Sequence, residues 1–83
     1  MSVQETVARV LDTHAKLTTP AGSLSRDADL YAAGMTSHAS VNVMLALEDA
    51  FEIEFPDALL TKSTFCTTGA IRSAVEGLLE AAA

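Results

Sequence analysis

Tryptophan is absent and aromatic residues make up only 5% of the chain, so stacked rings cannot build the core. Leu, Val, Ile, Ala and three Phe must fill it instead, a palette that favours helices over a β-sandwich. A single cysteine, Cys66, excludes an internal disulfide and the disulfide framework of small secreted domains. Basic side chains are scarce: five Lys and Arg stand against eleven Asp and Glu, a formal net charge of -6. That balance repels nucleic-acid phosphates and anionic lipid, and favours basic protein surfaces as partners. No apolar run approaches the ~20 residues that span a bilayer. The N-terminus, Met1-Ser2-Val3-Gln4-Glu5, lacks the basic start of a secretory signal. A cytoplasmic protein that binds neither nucleic acid nor membrane is the expectation.

Catalytic and metal-binding patterns are missing too. His14, His38 and Cys66 have no metal-ligand spacing, and Asp27 and Asp29 start a calcium loop that the following residues do not complete. There is no glycine-rich phosphate loop and no Ser/His/Asp set. Ser37 and His38 are neighbours, and neighbours on a helix diverge by ~100°, so they make no nucleophile–base pair. With 83 residues, the chain is read as one domain, 1–83, with a stability on the order of 5 kcal/mol. So thin a core leaves little room for an enclosed active site, and the chain is read as no enzyme.

What is present is helical periodicity. Ser2 and Glu5 match a capping box, and Val3, Val7, Val10, Leu11, His14 and Leu17 follow at helical spacing, which predicts a first helix over about 3–17. His14 falls on its apolar side as a partly buried structural residue. Turn chemistry from Thr18 to Ser23 stops the helix. The connection over 18–36 is long for a compact domain. Leu24, Leu30 and Tyr31 are expected to pin it to the core, with a short turn at Asp29–Ala33 and Gly34 giving freedom before Ser37. A second helix is predicted over about 37–52, with Ser40, Val43, Met44, Leu47 and Phe51 as its core stripe. A short third helix is placed at about 57–62, behind Pro56 and carrying Leu59 and Leu60. A last helix is placed at about 68–81, capped by Thr67 or Thr68, with Ile71, Val75, Leu78 and Leu79 inward and Ala81–Ala83 frayed. Cys66 is read as a small buried apolar residue. The fold class is all-α: a small four-helix bundle with a long first loop and a short third helix.

Ser37, Val41, Leu45, Glu48 and Glu52 share one edge of the second helix. Five of the eleven acids, Glu48, Asp49, Glu52, Glu54 and Asp57, fall within ten residues at its end. A serine at the mouth of a helix, beside an apolar and acidic edge, reads as a tether next to a docking strip. Asp29-Leu30, Gly34 to Phe51, and Glu54-Phe55-Pro56-Asp57 resemble the acyl carrier protein family over nearly the whole chain. That resemblance implies a four-helix bundle of acyl-carrier type. It also implies a 4′-phosphopantetheine arm on Ser37, installed from coenzyme A by a phosphopantetheinyl transferase. The arm's thiol would hold cargo as a thioester.

The family's usual Asp-Ser-Leu reads Thr36-Ser37-His38 here. Thr36 can cap the helix but supplies no carboxylate, and Ala39 and Asn42 replace acids that often follow the serine. With these departures the chain is more similar to the stand-alone aminoacyl carrier proteins. That likeness implies loading with an amino acid such as glycine or alanine. The loader would be a separate amino acid:carrier protein ligase resembling a class II aminoacyl-tRNA synthetase. The docking set expected for such partners is Thr36, His38, Val41, Leu45, Glu48, Asp49 and Glu52, on a monomer. Two alternatives stand beside this reading. One is a fatty-acyl, polyketide or peptidyl carrier, and the other is a helical docking adaptor without a prosthetic group.

Overall fold

The computed structural model describes residues 3–82. Its four helices are α1 (Val3–His14), α2 (Ser37–Phe51), α3 (Lys62–Phe65) and α4 (Thr68–Ala82). No strand occurs among the described residues. Helix α1 packs on both α2 and α4, and α3 packs on α4. The core they enclose is aliphatic, with Leu11, Leu30, Leu47, Ile71, Val7, Val43 and Val75 at its fully buried centre. Phe55 and Phe65 close one end with ring centroids 5.5 Å apart and planes tilted by 60°. This is the all-α bundle expected from the helical spacing.

Helix α1 buries Thr6, Val7, Val10 and Leu11 and leaves His14 half-buried. It stops earlier than the apolar spacing to Leu17 predicts, because Lys16 takes a left-handed conformation (φ 56°). That turn sends the chain back so that the Thr18 amide donates to the Ala33 carbonyl at 2.9 Å. Ser2, half of the expected capping box, lies outside the described residues.

The long connection is tied down at several points rather than loose. The Asp12 carboxylate accepts from the Ala21 amide at 2.7 Å, at the start of a single 3-10 turn over Ala21–Ser23. Asp29 accepts from the Tyr31 and Ala32 amides, the side-chain turn that Asp is suited to make. Leu30 is fully buried, and its amide donates to the Cys66 carbonyl at 2.7 Å. The Gly69 amide donates to the Arg26 carbonyl at 2.9 Å. A Cβ on Gly69 would stand 3.1 Å from that same oxygen, so glycine permits the close approach of loop and α4.

In α2 the buried face is Ala39, Val43 and Leu47. The predicted stripe was centred too far round the helix: Ser40, Met44 and Phe51 are only half-buried. Ala39 is buried in place of these residues, at 2% exposure. Glu52 ends the helix in a left-handed conformation (φ 54°), with its amide donating to the Glu48 carbonyl. Glu48 does more here: its carboxylate accepts from the Phe55 amide at 2.9 Å and holds the turn that follows.

The continuous helix predicted over 57–62 is not formed. Pro56 instead leads into one 3-10 turn, Asp57–Leu59, and the chain then restarts. Thr61 caps the one-turn helix α3, its hydroxyl accepting from the Thr64 amide at 3.4 Å. Thr61, Ser63 and Thr64 interlink their hydroxyls, and such local bonds compete with a continuous helix. Thr67, not Thr68, caps α4 by accepting from the Ala70 amide at 3.0 Å. Ile71 and Val75 are buried and Leu78 and Leu79 half-buried, as their spacing predicts. The helix runs on through Ala82 where fraying was expected, and Ala83 lies outside the described residues.

Candidate functional site

The site is assembled from the end of the long connection. Gly34 turns the chain at φ 119°, a region that disfavours side chains, and its Cα face lies against the Lys16 carbonyl. Met35 then plugs into the core at 2% exposure, its amide donating to the Leu30 carbonyl at 3.0 Å. Thr36 follows in extended geometry as the N-cap of α2, its hydroxyl accepting from the Ala39 amide at 3.0 Å. Ser37 is thus the first residue of a rigid helix, and it is exposed. Among the described residues, no protein group engages its hydroxyl.

Electrostatics favour an anion here. The unpaired amides and dipole of a helix N-terminus carry a partial positive charge. The first turn of α2 holds no acidic residue that would neutralise it. Beside Ser37 lies a cleft of about 340 Å³. Ser37, Val41 and Met44 of α2 line it, together with Leu60, Lys62 and Phe65 and with Tyr31 of the connection. The lining is mostly apolar, with a few hydroxyls and the Lys62 ammonium, which sits 4.9 Å from the centroid of the Tyr31 ring. An exposed, unengaged hydroxyl at a positive helix end, opening on a largely apolar cleft, fits the attachment of a long phosphate-bearing arm.

The residues expected to dock partners separate into two groups. Thr36, His38, Asp49 and Glu52 are exposed, and Val41 and Leu45 are 50% and 54% exposed, far from the core edge that a wide stripe would make of them. Glu48 is half-buried and occupied with the Phe55 amide. His38 forms no hydrogen bond with Ser37. Tyr31, Leu60 and Lys62 belong to the cleft and were not singled out as site residues from the sequence. A faint signal existed: Lys62 is the one cation between Arg26 and Arg72.

Cys66 is half-buried rather than buried, its sulfur 3.7 Å from the Asp29 carboxylate. Burial, then the Asp29 charge, push its thiol above the ordinary cysteine value. Its position just before α4 therefore does not activate it. Among the described residues no group of three His, Cys, Asp or Glu side chains gathers to hold a metal. No described helix is long and apolar enough to cross a membrane.

Fold and site together define a small helical carrier with an exposed serine at the start of α2. The family model for the phosphopantetheine attachment site matches residues 2–65. The aminoacyl carrier protein of Agrobacterium fabrum (strain C58) is 44% identical over 75 residues, 90% of each chain. Two solved structures superpose closely. One is an engineered Bradyrhizobium japonicum glycine:[carrier protein] ligase complexed with the carrier protein from Agrobacterium tumefaciens and ATP. It matches with a TM-score of 0.86 and 43% identity, over 90% of this chain and 97% of that one. The other is a solution structure from Agrobacterium tumefaciens, with a TM-score of 0.73 and 42% identity over 95% of both chains. The chain belongs to the phosphopantetheine-attachment carrier family, and within it to the aminoacyl carrier type. Its prosthetic group is 4′-phosphopantetheine.

Thr36 gives a stability test of this local architecture. Thr36→Ala removes the acceptor for the Ala39 amide and is expected to cost about 1 kcal/mol. In a domain of this size that lowers Tm by roughly 4–8 °C. Thr36→Asp keeps an N-cap acceptor and is expected to melt within about 2 °C of the parent. Thermal circular dichroism of the two variants reads both.

Proposed function

We propose that the domain, residues 1–83, carries an amino acid such as glycine or alanine on a 4′-phosphopantetheine arm attached to Ser37. The observation that carries this reading is the exposed, unengaged Ser37 hydroxyl at the acid-free N-terminus of α2. When attached, the arm supplies a terminal thiol that holds the amino acid as a thioester. The chain's own residues do the rest. Thr36 fixes the helix end, Met35 and Leu30 anchor the approach to it, and the α2 amides favour the phosphodiester. Activation of the serine is left to a phosphopantetheinyl transferase and its metal. This is the work of a carrier and not of an enzyme.

Loading falls to an amino acid:carrier protein ligase. The likeness to a carrier solved with a glycine:[carrier protein] ligase supports that assignment. Val41, Leu45, Asp49 and Glu52, with Thr36 and His38 near the serine, form the surface on which transferase and ligase dock. Glu48 belongs to the fold rather than to that surface. A monomer suits brief visits to successive enzymes, and a free cysteine suits the reducing cytoplasm.

The test is intact mass spectrometry after incubation with coenzyme A, magnesium and a transferase, followed by a ligase with ATP and glycine or alanine. A phosphopantetheine adduct that then gains one aminoacyl group is the expected sequence of masses. An adduct that accepts acyl groups but no amino acid from any ligase would return the chain to the fatty-acyl or peptidyl carriers. The docking surface has its own test. Reversing Asp49 and Glu52 to Lys is expected to slow loading about tenfold or more at low salt, and less at high salt. Equal loading rates for parent and variant at low ionic strength would remove these acids from docking.

A further inference from the structure

We propose that Lys62 is the positioning residue for the arm: its ammonium leaves the Tyr31 ring for the phosphodiester on Ser37, and the cleft between them opens to the arm. This rests on Ser37 being the attachment site. Three observations lead to it. First, Lys62 and Ser37 line the same cleft of about 340 Å³, and a flexible four-carbon stem lets the ammonium move within it. Second, the ammonium currently rests 4.9 Å from the Tyr31 centroid, a cation–π contact that is weak at exposed sites and easily exchanged. Third, Lys62 is exposed and is the only cation lining a cleft whose other walls are apolar or hydroxylic.

Before attachment no acidic side chain lines the cleft, and the ammonium rests on the ring face. A phosphodiester on Ser37 changes the balance, because a charge-assisted bond to a phosphate oxygen is stronger than an exposed cation–π contact. Moving the ammonium bares the Tyr31 ring, and the ring joins Leu60, Phe65 and Met44 as apolar wall. The occupant is then the chain's own arm, whose attachment to a residue lining the cleft gives it a high effective concentration there. The apolar walls disfavour the free ammonium of a tethered amino acid, which would lose its hydration there. Lys62 holds the root of the arm in the cleft while the aminoacyl end stays outside for the next enzyme.

The experiment compares amide and side-chain NMR spectra of the unmodified and phosphopantetheinylated full chain, for the parent, Lys62→Gln and Arg72→Gln. Mass spectrometry first establishes modification of each sample. In the parent, attachment is expected to shift the Tyr31 ring and the Thr61 and Phe65 amides as well as Ser37 and its neighbours. In Lys62→Gln the shifts at Tyr31, Thr61 and Phe65 should be lost, and the phosphorus resonance should move. Arg72→Gln removes the same charge on α4 and should behave as the parent. Shifts confined to Ser37 and its neighbours, unchanged by Lys62→Gln in a folded sample, would overturn the role of Lys62 while leaving the carrier reading intact. No mass adduct on the parent would overturn the attachment site itself, and the proposal with it.

Discussion

Ser37→Ala is expected to abolish phosphopantetheine attachment completely and to leave the bundle standing. The two halves of that expectation have different physical sources. Attachment needs a hydroxyl at one place, and alanine offers none. Stability needs the cap at the start of α2, and the Thr36 hydroxyl supplies it by accepting from the Ala39 amide. The Ser37 side chain is exposed and bonded to nothing in the fold, and alanine is the best helix former, so the change in stability should stay within about 0.5 kcal/mol. Ser40 is the natural control, since it lines the same cleft but donates its hydroxyl to the Ser37 carbonyl at 2.7 Å. Ser40→Ala should still be modified in full. Intact mass and far-ultraviolet circular dichroism on both variants decide the matter. An adduct on Ser37→Ala would move the tether elsewhere, and loss of helical signal would make Ser37 a structural residue.

Much of the site was legible because its parts are close in sequence. Gly34, Thr36 and Ser37 form a turn, a cap and a helix start within four positions, and local chemistry of that kind reads directly from residue types. The helices α1, α2 and α4 were legible for the same reason, through apolar spacing. What escaped depends on how elements meet. Ala39 is buried on α2, yet an alanine scores weakly in any apolar stripe, so the stripe was drawn through Ser40 and Met44 instead. Glu48 belongs by charge to the acid cluster, and only the turn after α2 brings the Phe55 amide to it. The segment 57–62 carries Leu59 and Leu60 behind Pro56, but Thr61 bonds to the hydroxyls of Ser63 and Thr64 and restarts the chain as α3. Tyr31 and Lys62 come together only because the connection folds over α3, and no spacing rule joins residues so far apart.

The second large effect should come from Leu30, which lies in a loop and yet is expected to behave as a core residue. It has no exposed surface, its amide donates to the Cys66 carbonyl, and its own carbonyl accepts from the Ala33 and Met35 amides. Leu30→Ala therefore empties a site that the surrounding helices cannot easily close. A buried Leu→Ala change costs about 2–5 kcal/mol. A domain of this size has only about 4–12 kcal/mol to lose. The variant should be partly unfolded near 37 °C, with Tm lowered by roughly 10 °C or more. Val41→Ala makes a comparable truncation at a side chain half exposed to water, and should change stability by less than about 1 kcal/mol. The contrast tests whether the connection is a strut or a tether. As a strut, Leu30 holds Met35 in place, and Met35 sets where α2 begins, so loading at Ser37 should fall with the folded fraction of Leu30→Ala. Equal urea midpoints for Leu30→Ala and Val41→Ala would mean that the long connection hangs on the bundle without supporting it.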